Sequence, residues 1–250
     1  MQDLKASKIR AHSVGVLVTA HSDNEEHSHP QPVRRGLRDC VILSHPALSL
    51  AEFFRVDNVA RFIQPATAIY TLGAVPADAN WGSGPTLRCL ADEYGHPLDI
   101  WCVGIVTQVT YNSNLGGTTF TVAIKLVREC DRERLRRLLR RSSPKRRLSN
   151  IGTGAVMTAS LTLSSDDRTV FRGFYDACAK YQQPALMTKV GVNDFIGGDL
   201  VLLQSAFVRR FKDEHHQQWD VEFELTALSM LHAAPRVAKA DHDGGFRSQW

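Results

Sequence analysis

The residues of this sequence best equipped for chemistry are arginines. The run DRERLRRLLRRSSPKRR places Arg132, Arg134, Arg136, Arg137, Arg140, Arg141, Lys145, Arg146 and Arg147 within one short stretch. A guanidinium is planar and permanently charged, so it grips a phosphate or carboxylate through two parallel hydrogen bonds. From Arg128 to Arg147, ten Arg and Lys stand against three acids, a local +7 on a chain whose total is +4, which leaves −3 for the rest. A basic patch on a slightly acidic body names the sign of its partner: nucleic acid, an acidic protein or another copy of the chain. A solvated linker fits the same residues.

A second cluster, HSDNEEHSHP, brings His21, Asp23, Glu25, Glu26, His27 and His29 together, a ligand set that zinc or nickel would accept. No flanking periodicity holds these groups rigid, and the run ends at Pro30 and Pro32, so a polar loop without metal is expected. His215 and His216, in a predicted hairpin loop, read the same way. The chain has no G-x-S-x-G elbow, no H-E-x-x-H, no phosphate loop and no dinucleotide fingerprint; GSGP, from Gly82 to Pro85, lacks the lysine a phosphate cradle needs and reads as a turn. Neither catalytic residues nor a cofactor are expected.

Composition sets the outer bounds. Of the 250 residues, 43% are hydrophobic and 22% charged, as in a soluble globular protein, and no apolar run reaches the roughly 18 to 20 residues of a membrane span. The start, MQDLKASKIRAH, lacks the apolar core of a secretory signal. Five cysteines, Cys40, Cys89, Cys102, Cys130 and Cys178, form an odd set without C-x-x-C spacing and are expected to be reduced.

The elements that must position the arginines are mostly strands. In the basic run itself, Leu135, Leu138 and Leu139 form a narrow apolar stripe, so a short helix is predicted, ended by Ser142, Ser143 and Pro144. Aligning Gln108 with Gln204 sets GIVTQVTY over LVLLQSAF, and FTVAIKLV over WDVEFELT, pairing Phe120 with Trp219, Val122 with Val221, Ile124 with Phe223 and Leu126 with Leu225. Alternation of this kind marks strands with one dry face, and in the second strand Asp220, Glu222 and Glu224 occupy the wet one. Both stretches read as long hairpins. Further strands are expected at 13–20, 39–44, 66–73 and 155–163. Apolar residues from Val170 to Tyr181 at helical spacing predict a helix, and Ser83, Pro85 and Gly95 frame a shorter one.

The expected fold is mainly β: two related antiparallel β-sandwich or barrel-like units with one or two short helices. The divisions are 1–36, an N-terminal strand and His-rich loop; 37–130, the first unit; 131–150, the basic helix and linker; 151–232, the second unit; and 233–250, a tail.

TASLTL, then RTVFRGFYDACAKYQQPALM, GGDLVLLQSAFVRRF and the closing WDVEFELTAL, entered through RFIQPATAIYTLG, resemble the C-terminal half of minor tail proteins of long-tailed bacteriophages, distal tail proteins among them. The resemblance covers about 150–230 and departs from the family pattern at the basic insertion. It implies a structural, non-enzymatic virion component assembled in the host cytoplasm, with other copies of itself and neighbouring tail proteins as partners. On that reading the arginine helix of one copy meets Asp220, Glu222 and Glu224 of the next. The alternative is a nucleic-acid-binding protein with two small barrels and a basic patch. Against it stand an aromatic content of only 8% and strand faces that carry acids.

Overall fold

In the computed structural model, which describes residues 48–114, 117–142, 155–163 and 171–236, the first element is built on Ser49. Its hydroxyl accepts the Glu52 N–H while the Glu52 carboxylate accepts the Ser49 N–H at 2.8 Å, a reciprocal cap that starts helix α1, Leu50–Ala60. There follow β1 (Ile63–Gln64), β2 (Ile69–Thr71), β3 (Asn80–Trp81), β4 (Leu90–Ala91), β5 (Asp99–Asn114) and β6 (Gly117–Leu126). Helix α2 (Glu129–Ser142) leads to β7 (Val156–Leu163), β8 (Gly173–Asp176), β9 (Thr188–Lys189), β10 (Leu200–Phe211) and β11 (Trp219–His232). All the described residues lie in the compact unit that extends from Gly36 to Trp250.

Five of these strands close on themselves. β5 pairs antiparallel with β6, β6 with β7, β11 with β10 and β10 with β5, while β7 and β11 meet in parallel. Counted along the chain, the ring runs first, second, third, fifth, fourth and back to first. That is the connectivity of the five-stranded Greek-key barrel known as the oligonucleotide/oligosaccharide-binding fold. β2 and β1 extend the sheet outward from β5, and β8 and β9 extend it from β11.

The alternating residues of the two hairpins fill this barrel. Phe120, Val122, Ile124 and Leu126 from β6 and Phe223 and Leu225 from β11 share one core, with Val221, Phe171, Phe174 and Cys178 packed against it. Leu135 and Leu138 of α2 belong to the same core, so the helix's leucine stripe is spent on the barrel and its arginines are left outside. A second core forms where α1 lays Val56, Val59 and Ala60 against Trp101, Val103, Leu200, Leu202 and Ala227. Strand residues caught between the two cores are dry on both faces. LVLL, at the start of β10, is therefore a continuous apolar run and not an alternation.

Several expectations are corrected. The two hairpins do not found separate units; β5 and β10 bond directly from Leu200↔Ile105 to Ser205↔Ile100. The physical reason is that a lone hairpin cannot bury its apolar face, whereas two of them with β7 close a ring around it. Residues 171–181 contain no helix. Gly173 sits at φ +136°, outside helical space, and Gly173–Asp176 pairs in parallel with Ala227–Met230. That helix was part of the layout on which the tail-protein resemblance rested. The shorter predicted helix reduces to one 3-10 turn, Gly84–Thr86. The expected strand at 66–73 is only Ile69–Thr71.

Cys89, Cys102 and Cys178 are free, but Cys130 is disulfide-bonded, contrary to the expectation that every cysteine is reduced. The proposed strands at 13–20 and 39–44, the His-rich segment, Lys145, Arg146, Arg147 and the tail beyond 236 lie outside the described residues. Among the described residues, no helix is long and apolar enough to cross a membrane.

Candidate nucleic-acid interface

By strand alternation Arg209 falls in phase with Phe207 and Phe211, the inward phase, which is an unusual place for a cation. The barrel resolves this by ending there. The Arg209 guanidinium lies over three rings: Phe211 at 4.9 Å, Trp81 at 5.0 Å and Trp219 at 5.5 Å from their centroids. Each such contact draws on the negative ring face.

Every member is fixed by its own element. The Arg209 N–H donates to Arg88 O at 2.8 Å and its Nε to Leu87 O at 3.0 Å, which ties β10 to the β3–β4 hairpin. Trp81 stacks on Phe207 at 5.7 Å, Phe211 stacks on His216 at 4.0 Å, and Trp219 donates its indole N–H to Ser142 O at 3.0 Å. The last of these bonds seats the carboxyl end of α2 beside the cluster. Trp81, Arg209, Phe211 and Trp219 are all half-buried, and Arg88 is exposed beside them. Chemically this is an anion-attracting end with flat aromatic surfaces, the combination by which proteins hold unpaired bases and their phosphates.

The outer face of β6 and β7 differs in kind. It carries Thr119, Thr121, Ser160 and Thr162, which bond to one another across the strands at 3.4 Å for Thr119–Thr162 and 2.9 Å for Thr121–Ser160. A surface of paired hydroxyls offers no ring on which a base can stack.

The residues singled out from the sequence are placed as follows. Arg132 donates to Leu126 O and pairs with Glu129; Arg136 pairs with Glu129 and Glu133; and Arg137 pairs with Glu133 at 2.8 Å. These are the i,i+3 and i,i+4 contacts of a helix surface, supplemented by the longer Arg136–Glu129 reach. Arg141 donates to Ala77 O at 2.6 Å, and Arg140 is exposed. Arg134 is half-buried, its pKa lowered by burial and by repulsion from Arg141 and Arg137.

The acids of β11 have partners in their own hairpin: Glu222 bonds Arg210, and Asp220 lies 2.7 Å from Lys212. Glu224 sits beside Ser160 in register. The structure thus does not gather the arginines and the β11 acids into one site. It gathers Arg209, Trp81, Phe211 and Trp219, of which the sequence reading had considered only Trp219, as a core residue. An arginine on the dry phase of VRRF was the available signal.

Among the described residues, no group of three His, Cys, Asp or Glu is placed to hold a metal ion. The free thiols are shifted away from reactivity: burial pushes Cys102 well up, and burial together with Asp176 pushes Cys178 up to about 11.

What fold and site define together is a five-stranded Greek-key barrel with a cationic, aromatic end. No protein-family model matches the chain, and no curated protein matches it. Among solved structures it is similar to gp2.5, a single-stranded DNA binding protein encoded by bacteriophage T7, at 11% identity and a TM-score of 0.36, over 57% of this chain and 92% of that one.

Proposed function

We propose that this protein binds single-stranded nucleic acid at the barrel end formed by Trp81, Arg209, Phe211 and Trp219. The carrying observation is the Arg209 guanidinium held among three ring faces on a closed small barrel. Half-buried aromatic rings at such an end accept bases of any identity, and Arg209 and Arg88 favour the backbone's charge. The tail-assembly role keeps only its support from the sequence pattern. Two of the three acids it assigned to a neighbouring copy, Asp220 and Glu222, are held by Lys212 and Arg210 in their own hairpin.

The test is fluorescence anisotropy with a labelled 20-nucleotide single strand at physiological salt. Binding is expected with a Kd of about 10⁻⁴ to 10⁻⁶ M or tighter, weakening as salt rises. Trp219→Ala and Phe211→Ala should each lose one to three kcal/mol of stacking, roughly 5- to 150-fold in Kd. Thermal melts establish that both variants fold. Binding that is undetectable, or that is indifferent to both substitutions in folded protein, would refute the assignment.

A further inference from the structure

A different surface, not used by the proposed nucleic-acid site, carries a second inference. The loops that follow β1, β2 and β4 enclose an open pocket of about 580 Å³ walled by Tyr70, Tyr94 and His96, with the carboxylates of Asp78, Asp92 and Glu93 around it. Tyr94 is 76% exposed, and the Tyr94 and His96 rings stand 6.2 Å apart. Asp92 accepts from the Tyr94 and His96 backbone N–H groups, lies 3.2 Å from the His96 ring and shapes the turn; Glu93 shares a hydrogen bond with the Tyr94 side chain, and neither Asp78 nor Glu93 has a cation within ion-pair distance among the described residues. Aromatic walls with carboxylates are the surroundings a guanidinium prefers, since it stacks on rings and forks onto carboxylates.

This chain carries such a guanidinium at the pocket's edge, Arg141, and more of them along the same helix. Arg134, Arg137 and Arg141 recur every three or four residues along α2, and Arg140 adjoins them. Among the described residues no carboxylate lies within ion-pair distance of Arg134, Arg140 or Arg141. The stripe reaches the pocket's rim, where Arg141 donates to Ala77 O at 2.6 Å, next to Asp78. Within one molecule Arg141 already feels the Asp78 carboxylate from this rim, without a direct ion pair.

A surface on which a cationic stripe and an anionic pocket lie side by side is complementary to itself after a two-fold rotation. We propose that two copies of this chain associate about such an axis, the arginines of α2 in each copy entering the aromatic, acid-lined pocket of the other. The contact keeps the assembly role first read for the arginine helix. It replaces the β11 acids, of which Asp220 and Glu222 are held in their own hairpin, with Asp78 and Glu93.

The isologous geometry makes a specific experiment available. One variant, Arg140→Glu with Arg141→Glu, reverses the stripe; a second, Asp78→Lys with Glu93→Lys, reverses the pocket. In a dimer of either variant alone both contacts oppose like charges, whereas in a mixed dimer both contacts pair opposite charges. Light scattering and sedimentation on the wild-type chain should show a dimer at micromolar concentration that dissociates with salt. Each variant alone should be a monomer, weakened on the order of 100-fold or more in dimer affinity, and an equimolar mixture should recover the dimer. Far-ultraviolet circular dichroism of each variant establishes that loss is not unfolding, and the mixing arm requires both to be folded. Three results would overturn the proposal: a wild-type chain that is monomeric at about 100 μM, far above the micromolar affinity expected of a specific contact; a variant that dimerises as well as wild type; or a mixture that stays monomeric. Loss of oligonucleotide binding without any change in association would equally count against it and assign the stripe to nucleic acid.

Discussion

Phe207→Ala is expected to lower the unfolding free energy by about 3 to 5 kcal/mol, the range for removing a large ring from a packed interior. Phe207 is completely buried, its ring 4.8 Å from that of Phe223 and 5.7 Å from that of Trp81. It therefore joins the barrel core to the floor under the arginine cluster. Truncation should also weaken oligonucleotide binding, because Trp81 loses the surface it stacks on. Urea melts followed by tryptophan fluorescence would measure the loss. Trp101 lies in the first hairpin and Trp219 in the second, so one cooperative transition is expected to report both. A loss under about 1 kcal/mol, or two separate transitions, would mean that the hairpins do not share the core described here.

Within the described residues, the strands that were legible were those with one wet face. β6 and the first half of β11 alternate because solvent touches their outer surface, so the period appears in the residue types. How many units the strands built was not legible. Alternation records which face is dry and says nothing about what dries it, and the same four inward positions fit two sandwiches or one ring. The parallel pairing of Phe223 with Ala159, which closes the barrel, leaves no periodic trace.

The leucine stripe of the basic run did mark a helix, α2, but two other helices were misread in opposite directions. In FRGFYDACAKY the helical spacing of apolar residues is real, but half of them face one core and half the other. Tyr175, Ala177 and Tyr181 lie in or against the cluster under α1, whereas Phe171, Phe174 and Cys178 lie against the barrel. A strand sandwiched between two cores needs no alternation. The helix that was missed, α1, announced itself through Ser49 and Glu52 at capping-box spacing, a signal that apolar periodicity alone passes over. The candidate interface was hidden for a related reason. Arg209 counts as one charge among many in the sequence, and it becomes a site only when Trp81, well over a hundred positions earlier, is brought against it.

Asp131 should make this protein more stable in mild acid than at neutrality. The side chain is buried at the start of α2, accepts the Gly73 N–H at 2.8 Å and lies 3.6 Å from Arg128 Nε. Burial pushes its carboxyl up to about 6, against the opposing pull of Arg128 and the Gly73 N–H. A pKa raised on folding means that the folded chain holds the proton more tightly than the unfolded one. The stabilisation is complete below the unfolded value of 3.8 and is lost as pH rises through about 6. Between pH 4.5 and 7 the loss amounts to about 2 kcal/mol. Glu52 acts with the opposite sign in a lower window: hydrogen bonds from Ser49, then His232, hold its carboxyl down at about 2, so its contribution is present above 4.5 and fades as pH falls toward 2. The two windows separate above pH 4.5. Asp131→Asn leaves Arg128 without its carboxylate partner, a cost that does not vary with pH in this range, and it removes the titrating group. Urea melts of both proteins at pH 4.5, 5.5 and 7 should therefore show the wild type losing about 2 kcal/mol relative to the variant as pH rises. A wild-type-to-variant difference that stays constant across the three pH values would show that Asp131 is not held protonated by its burial.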